Sequence, residues 1–233
     1  MKKDFDAVLR SIGETEVGSS LSDPFTELFP VDGAAVSTLG PFLGTGTLSA
    51  TNDQAVHIDE LQFDLGEGPC WDAMRTSKPV LEPDVTVRSD RWPAFIDAIR
   101  SEGVTSIFAF PLRLGPLQIG AIDLYARRLT DLDAVATRQA SLLAEQVSRT
   151  VLRQALTAVR DGEELHASPY SRRVIHQATG MVVSQLDISA EDAELVIKGH
   201  AFAQGMSMMD VARLLIDRDL AFDRDDDAKG GDA

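Results

Sequence analysis

Chemistry in this chain would have to start from few groups. Cys70 is the only cysteine, so an internal disulfide framework and a cysteine-built zinc site are excluded, and a reducing compartment fits. It follows Gly68-Pro69 at the expected start of a helix, where a thiolate is favoured and could serve redox chemistry or touch a ligand. The competing reading is a small buried hydrophobe. The histidines, His57, His166, His176 and His200, never fall at the i, i+4 spacing of a helical metal pair, and haem ligation would have to rest on His57 unaided. Gly44-Thr45-Gly46 is too short for a dinucleotide fingerprint, and no nucleophile elbow, P-loop or set of kinase motifs occurs. The acids Asp225 to Asp227 read as a solvated tail. No nucleophile can be paired with a base, so the expectation is a protein that is not an enzyme, with no metal and no cofactor.

The richer stretch is Ser171 to Phe222. Val174, Ala178, Met181 and Val182 fall on one helical stripe and leave Arg172, Arg173, His176, Gln177 and Thr179 elsewhere. After a turn at Leu186-Asp187-Ile188, Ser189 can cap a second helix with Asp192 three residues on; Ala193, Ile197 and Ala201 continue the apolar stripe until Gly205 stops it. Ser207 with Asp210 repeats the cap, and Val211, Leu214 and Leu215 supply a third face. Helices this short are marginal singly, so a three-helix bundle is predicted.

The run VIHQATGMVVSQLDIS, then an alanine-bearing helix, then MDVARLLI resembles the ANTAR domain, an RNA-binding output module of bacterial transcription antitermination regulators. The resemblance implies RNA contact through Arg172, Arg173, His176, Gln177, Thr179 and Gly180, with Lys198, His200 and Arg213 as further candidates. Arginines can hold phosphates or stack on splayed bases, Gln177 and Thr179 can read base edges, and Gly180 permits close backbone approach. The bland alternative is that Gly180 serves helix packing and the arginines only solubilise. The chain also departs from the family where such domains often carry an arginine-rich second helix: here stand Glu194, Leu195, Val196, Ile197, Lys198 and Gly199.

A net charge of -15 opposes general affinity for nucleic acid, because nonspecific binding neutralises phosphates with Lys and Arg. That acidity lies mainly upstream. Residues 168–222 carry five Lys and Arg against seven Asp and Glu, whereas residues 1–167 carry fifteen against twenty-five. RNA binding would therefore depend on local clusters and on bases exposed in loops.

Upstream, Phe5, Val8, Leu9 and Ile12 suit a short amphipathic helix, and Ser22-Asp23-Pro24 opens another through Leu28. GAAVSTL and GTGTLSAT, separated by Gly40-Pro41-Phe42-Leu43, predict a hairpin. Helical spacing follows over 53–63, a short helix over 70–76, an extended piece over 79–82, a helix over 92–101, and two strands over 104–111 and 117–126 joined by a loop around 113–116. Strands at both ends with helices between predict an α+β domain on an antiparallel sheet. The hairpin, GEGPCWDAMRTSKPV, RWPAFIDAIRSEGV and SIFAFPLRLGPLQIGAIDLYA resemble the GAF domain, a small-molecule sensor fold. That resemblance implies a pocket between sheet and helices, with Phe63, Cys70, Trp71, Phe108 and Phe110 as candidate lining, although these can equally be plain core. GAF relatives that reduce free methionine sulfoxide use several cysteines, so one cysteine leaves that cycle unavailable.

Residues 132–159 lack proline and glycine and predict one long helix. Leu143, Val147, Val151 and Ala155 recur at fours, widened by Leu142, Leu152, Leu156 and Val159. The stripe is too long for a last strand alone to cover and predicts a partner helix, read as a parallel coiled-coil homodimer, with packing on its own sheet as the alternative. The expected organisation is an N-terminal helix and linker (1–22), a GAF-like sensor (23–130), a connecting helix and linker (131–167), an ANTAR-like bundle (168–222) and a disordered acidic tail (223–233). No apolar run approaches the roughly 20 residues of a membrane span, and residues 1–18 carry too many acids for a secretory signal. The whole reads as a cytoplasmic regulator whose homodimer binds tandem stem-loops of a leader transcript. The alternative is a small-molecule or redox sensor that signals by docking a protein without binding RNA.

Overall fold

The computed structural model describes residues 4–15, 19–39, 43–87, 90–161 and 172–222. Residues 40–42 of the expected turn at 40–43, residues 162–169 of the linker with His166, and the acidic tail lie outside the described residues. The chain divides into two compact units, 1–171 and 172–233.

The first unit runs α1 (Phe5–Glu14), α2 (Asp23–Leu28), β1 (Gly33–Thr38), β2 (Gly46–Ala50), α3 (Asp53–Leu65), α4 (Pro69–Thr76), β3 (Val80–Glu82), α5 (Pro93–Ser101), β4 (Ser106–Leu114), β5 (Leu117–Ala126) and α6 (Ala134–Asp161). Local chemistry sets these limits. Asn52 accepts the Ala55 amide at 2.9 Å to start α3, and Gly66 at φ 69° ends it. The expected 113–116 loop is tighter than predicted: β4 pairs with β5 out to Leu114 and Leu117, leaving only Gly115 and Pro116 to turn the chain.

The strands form one antiparallel sheet in the order β2-β1-β5-β4-β3. Gly120 is dictated by the β1–β5 pairing, since a Cβ there would stand 1.8 Å from the Ser37 carbonyl oxygen. Side chains alternate across the sheet. Val36, Phe108, Phe110, Leu112, Ile122 and Leu124 pack on one face with α1, α2 and α6. Ala35, Ile107, Ala109 and Tyr125 join α3 and α5 on the other, where Cys70 of α4 packs on Ala121.

The long helix is as expected, but its partner is internal. Leu143, Val147, Val151 and Ala155 are buried in the cluster that also holds Val8 and Ile12 of α1. Thr150 donates its hydroxyl to the Ile12 carbonyl at 2.9 Å, and Arg153 reaches the Gly13 carbonyl. Helices α1 and α6, read from spacing as flanking segments, are thus the outer layer of the sheet domain. Val135, Leu142, Leu156 and Val159 stay exposed.

The second unit is a bundle of α7 (Arg173–Leu186), α8 (Ala190–Gln204) and α9 (Met208–Ile216). The expected caps form: Ser189 accepts the Asp192 amide and Ser207 the Asp210 amide, each at 3.0 Å, and Gly205 closes α8 at φ 63°. Ile175, Ala178, Val182, Ala193, Ile197, Ala201, Val211 and Leu215 make the core. The buried stripe of α7 is Ile175, Ala178, Thr179 and Val182: Ala178 and Val182 are as predicted, while Val174 and Met181 are only partly buried and Ile175 and Thr179 take the core side.

Candidate functional site

On α7, Arg173, His176, Gln177 and Gly180 are exposed at i, i+3, i+4 and i+7, so they line one side of the helix, with Ser184 a turn further on. A Cβ on Gly180 would meet nothing within 4 Å, so this glycine is not there for packing in the bundle. Two other predicted members do not join the stripe. Thr179 is buried and donates its hydroxyl to the Ile175 carbonyl at 2.8 Å, because its position falls on the core side of the helix. Arg172 is only 8% exposed.

The outlying candidates are separately engaged. His200 is half-buried on α8, its ring edge-on to Phe222 at 5.4 Å. Arg213 is exposed and pairs with Asp210 on its own helix at 3.4 Å. Lys198 is half-buried on α8. What residue-type reasoning missed is the outer side of α8, where Leu195 is 60% and Phe202 79% exposed. The signal was in the spacing: the two are seven apart and out of phase with Ala193, Ile197 and Ala201.

In the first unit the predicted lining set separates. Phe63 meets Trp71 edge-on at 6.0 Å; the Trp71 indole donates to the Gln62 carbonyl at 2.7 Å, and Cys70 lies buried against Phe63, Leu39 and Ala121. Phe108 and Phe110 are on the far face of the sheet, in the α1–α2–α6 core. As even-numbered residues of β4 they cannot share a face with Ala109, and the period of two excludes them from a pocket with Cys70. Phe110 instead borders a groove of about 320 Å³ between the end of β4 and α6, with Pro79, Arg113, Leu114 and Glu145.

Beside Cys70 lies a polar cluster that the search for motifs did not reach. Asp59 of α3 accepts the hydroxyls of Ser37 and Thr47, each at 2.5 Å. The Gln62 carbonyl oxygen of the side chain accepts the Cys70 amide at 2.8 Å, while its Nε2 has no partner. Asp123, in the middle of β5, is 4% exposed and neither carboxylate oxygen has a hydrogen-bond partner. Burial first, and then the charge of Asp59, push its carboxyl well above the usual carboxylate range; the Gln62 amide lies near enough to oppose that rise without reaching hydrogen-bond geometry. The sequence signal was one acid in LQIGAIDLYA, a strand apolar on both faces. Nearer the surface, burial would raise Asp72, but hydrogen bonds from Arg75 and Arg91 outweigh it and hold the carboxyl low.

Among the described residues no group of three or more His, Cys, Asp and Glu could hold a metal ion, and no helix is long and apolar enough to cross a membrane.

Residues 5–151 match the model of the GAF domain and residues 163–216 that of the ANTAR domain. No curated protein matches the chain. Among solved structures, the phycocyanobilin-bound GAF domain from a cyanobacterial phytochrome is 13% identical, with a TM-score of 0.51 over 67% of this chain and 98% of that one. The GAF domain of a phosphoenolpyruvate-protein phosphotransferase from Coxiella burnetii is also 13% identical, with a TM-score of 0.51 over 68% and 96%. Both likenesses concern the fold alone. With α1, the sheet and most of α6 inside the first match and the bundle of α7 to α9 inside the second, the chain belongs to the GAF–ANTAR proteins, regulators that join a sensor domain to an RNA-binding domain.

Proposed function

We propose that this protein regulates transcription antitermination by binding tandem stem-loops of a leader transcript through its ANTAR bundle, under control of the GAF unit. The observation that carries the reading is the α7 stripe of Arg173, His176, Gln177 and Gly180. Its guanidinium suits phosphate or a stacked base, the Gln177 amide can read a base edge, and the bare backbone at Gly180 lets a nucleotide come close. Thr179 takes no part, since its hydroxyl is spent inside the helix. Arg172, Lys198, His200 and Arg213 act at most as secondary contacts.

The protein works in the cytoplasm as a homodimer. Val135, Leu142 and Leu156 stand exposed on one register of α6, with Arg149 at the heptad position between the two leucines, and offer an apolar face to a second copy. This face is distinct from the stripe that α6 buries on its own sheet.

Mobility shift of a two-hairpin leader RNA across a range of salt tests the reading. Salt-sensitive, loop-dependent binding that weakens at least about tenfold in Arg173→Ala, Gln177→Ala supports it. Binding unaffected by that variant, or none at low salt by the folded protein, overturns it.

One observation favours a second reading, docking of a protein partner without RNA. Helix α8 presents Glu191, Glu194, Leu195 and Phe202 to solvent, an acidic and apolar side in place of an arginine-rich one. Leu195→Ser, Phe202→Ser that leaves RNA binding intact would count against it.

A further inference from the structure

Resting on the reading of the first unit as a sensor, the geometry points to a small organic cation bearing N–H donors (an amidine, guanidine or primary amine) as its ligand, with Asp123 as counter-ion and Gln62 as a second contact.

Two independent features converge on this class. The first is the shape of the sheet face under α3 and α4. In register across β1, β5 and β4 stand Ala35, Asp123 and Ala109, and beside them Ser37, Ala121 and Pro111. The opposite face of the same strands carries Val36, Phe108, Phe110 and Ile122. Small side chains thus flank Asp123 on both neighbouring strands and towards Ala121, while Ile107 and Tyr125 stand on its other side.

The second is unmet polarity. Both Asp123 oxygens and the Gln62 Nε2 lack partners while fully buried among protein atoms. A buried carboxyl left so costs stability unless something donates to it. Of the groups facing it, the Gln62 amide comes near without reaching hydrogen-bond geometry, and the rest have no donor to give. From α3 comes the carboxyl of Asp59, a like charge, whose Oδ2 already takes the hydroxyls of Ser37 and Thr47. Along its own strand Tyr125 turns its hydroxyl to Asn52 at 3.0 Å. Strands β1 and β4 offer only Ala35 and Ala109 at its level, and α4 brings Cys70 against Ala121. An acid set beside a second acid, apolar side chains and one uncharged amide selects a donor that carries positive charge. The unpartnered Gln62 amide adds a place for an acceptor atom on the same ligand.

The gap beside Asp123, lined by Ala35, Ala55, Ile58, Ile107 and Tyr125, is too narrow for a water molecule. A ligand therefore has to part α3 from the sheet, which is how occupancy would be felt beyond the site. The exchange balances: the protonated Asp123 carboxyl gives its proton to the buffer, and the ligand cation takes that proton's place beside the carboxylate.

The test is titration calorimetry of the full chain near neutral pH, in two buffers of different ionisation enthalpy. Methylguanidine, agmatine and putrescine are the probes. Tetramethylammonium, charged but without N–H, and N-methylurea, N–H but uncharged, are the controls. Binding of at least one probe with release of a proton, no binding of either control, and a loss of at least tenfold in Asp123→Asn supports the proposal, with circular dichroism showing that the variant folds. No probe binding, equal binding of the controls, or equal binding by Asp123→Asn overturns it. Gel shifts of the leader RNA with and without the bound probe separate the two levels: unchanged RNA affinity in the face of calorimetric binding rejects the sensor reading and keeps the site.

Discussion

The hydroxyl of Thr150 on α6 donates to the carbonyl of Ile12 on α1 at 2.9 Å, across 138 positions of sequence. The Ile12 carbonyl, in the last turn of α1, also accepts the Thr15 amide at 3.3 Å. Thr150 adds a second, buried donor to it and so ties the first helix of the unit to the last.

From this tie follows a stability prediction. Ile12 is 1% exposed in the cluster with Val147 and Val151, so Ile12→Ala should destabilise the first unit by about 2–5 kcal/mol. Urea denaturation followed by the fluorescence of Trp71 and Trp92 would read it. A loss under about 0.5 kcal/mol, the range of a surface substitution, would mean that α1 is not part of the core.

Asp123 makes stability depend on pH with a definite sign. Its carboxyl titrates well above the unfolded value of 3.8 because burial and Asp59 disfavour its charge. The folded state therefore binds the proton more tightly. Its contribution is fully present below about pH 4 and is lost as pH rises from there towards the raised native value, at up to about 1.4 kcal/mol per pH unit. Asp123→Asn should remove that component and be the more stable protein at the alkaline end. Denaturation midpoints from pH 5 to 9 check this, and parallel curves for the two proteins would refute it.

Gly180 and Gly199 lie inside helices, and a Cβ on either would meet nothing within 4 Å. Replacing each by alanine should stabilise the bundle by about 0.5–1 kcal/mol, the usual cost of glycine in a helix. The RNA reading adds an asymmetry: Gly180→Ala should gain stability and lose RNA affinity, since Gly180 shares the stripe of Arg173 and Gln177. Thermal melts with gel shifts on the same samples would show it, and an unchanged affinity would remove Gly180 from the interface.

The exposed heptad positions of α6 give a test of assembly. Leu142→Glu with Leu156→Glu places charge where Val135, Leu142 and Leu156 would meet a second copy, without touching the buried Leu143, Val147 and Val151. Light scattering after size exclusion should report a monomer for the variant and a dimer for the parent. A dimer in both would move the interface elsewhere.

Chemistry between near neighbours in the chain was legible from sequence. Ser189 with Asp192, Ser207 with Asp210 and Gly205 mark helix ends in the sequence and in the structure, because a cap involves groups three residues apart. The long helix and the hairpin strands follow in the same way from local spacing, and the match of Arg173, His176, Gln177 and Gly180 to one exposed side is helical arithmetic. Thr179 shows the limit of that arithmetic: the stripe through Ala178 and Val182 was legible, but which neighbours it takes in was not, and a contact candidate became core. Only the tertiary structure decided which face each β4 side chain takes, and so parted Phe108 and Phe110 from Cys70. It alone brought α1 onto α6, satisfying within the chain a stripe that spacing assigns to a second copy, and it alone set Asp59 beside Asp123. Those outcomes depend on pairings between residues from 16 positions apart, as for Phe108 and Leu124, to 138, as for Ile12 and Thr150. Periodicity shows that a face must be buried, and only the packed chain shows against what.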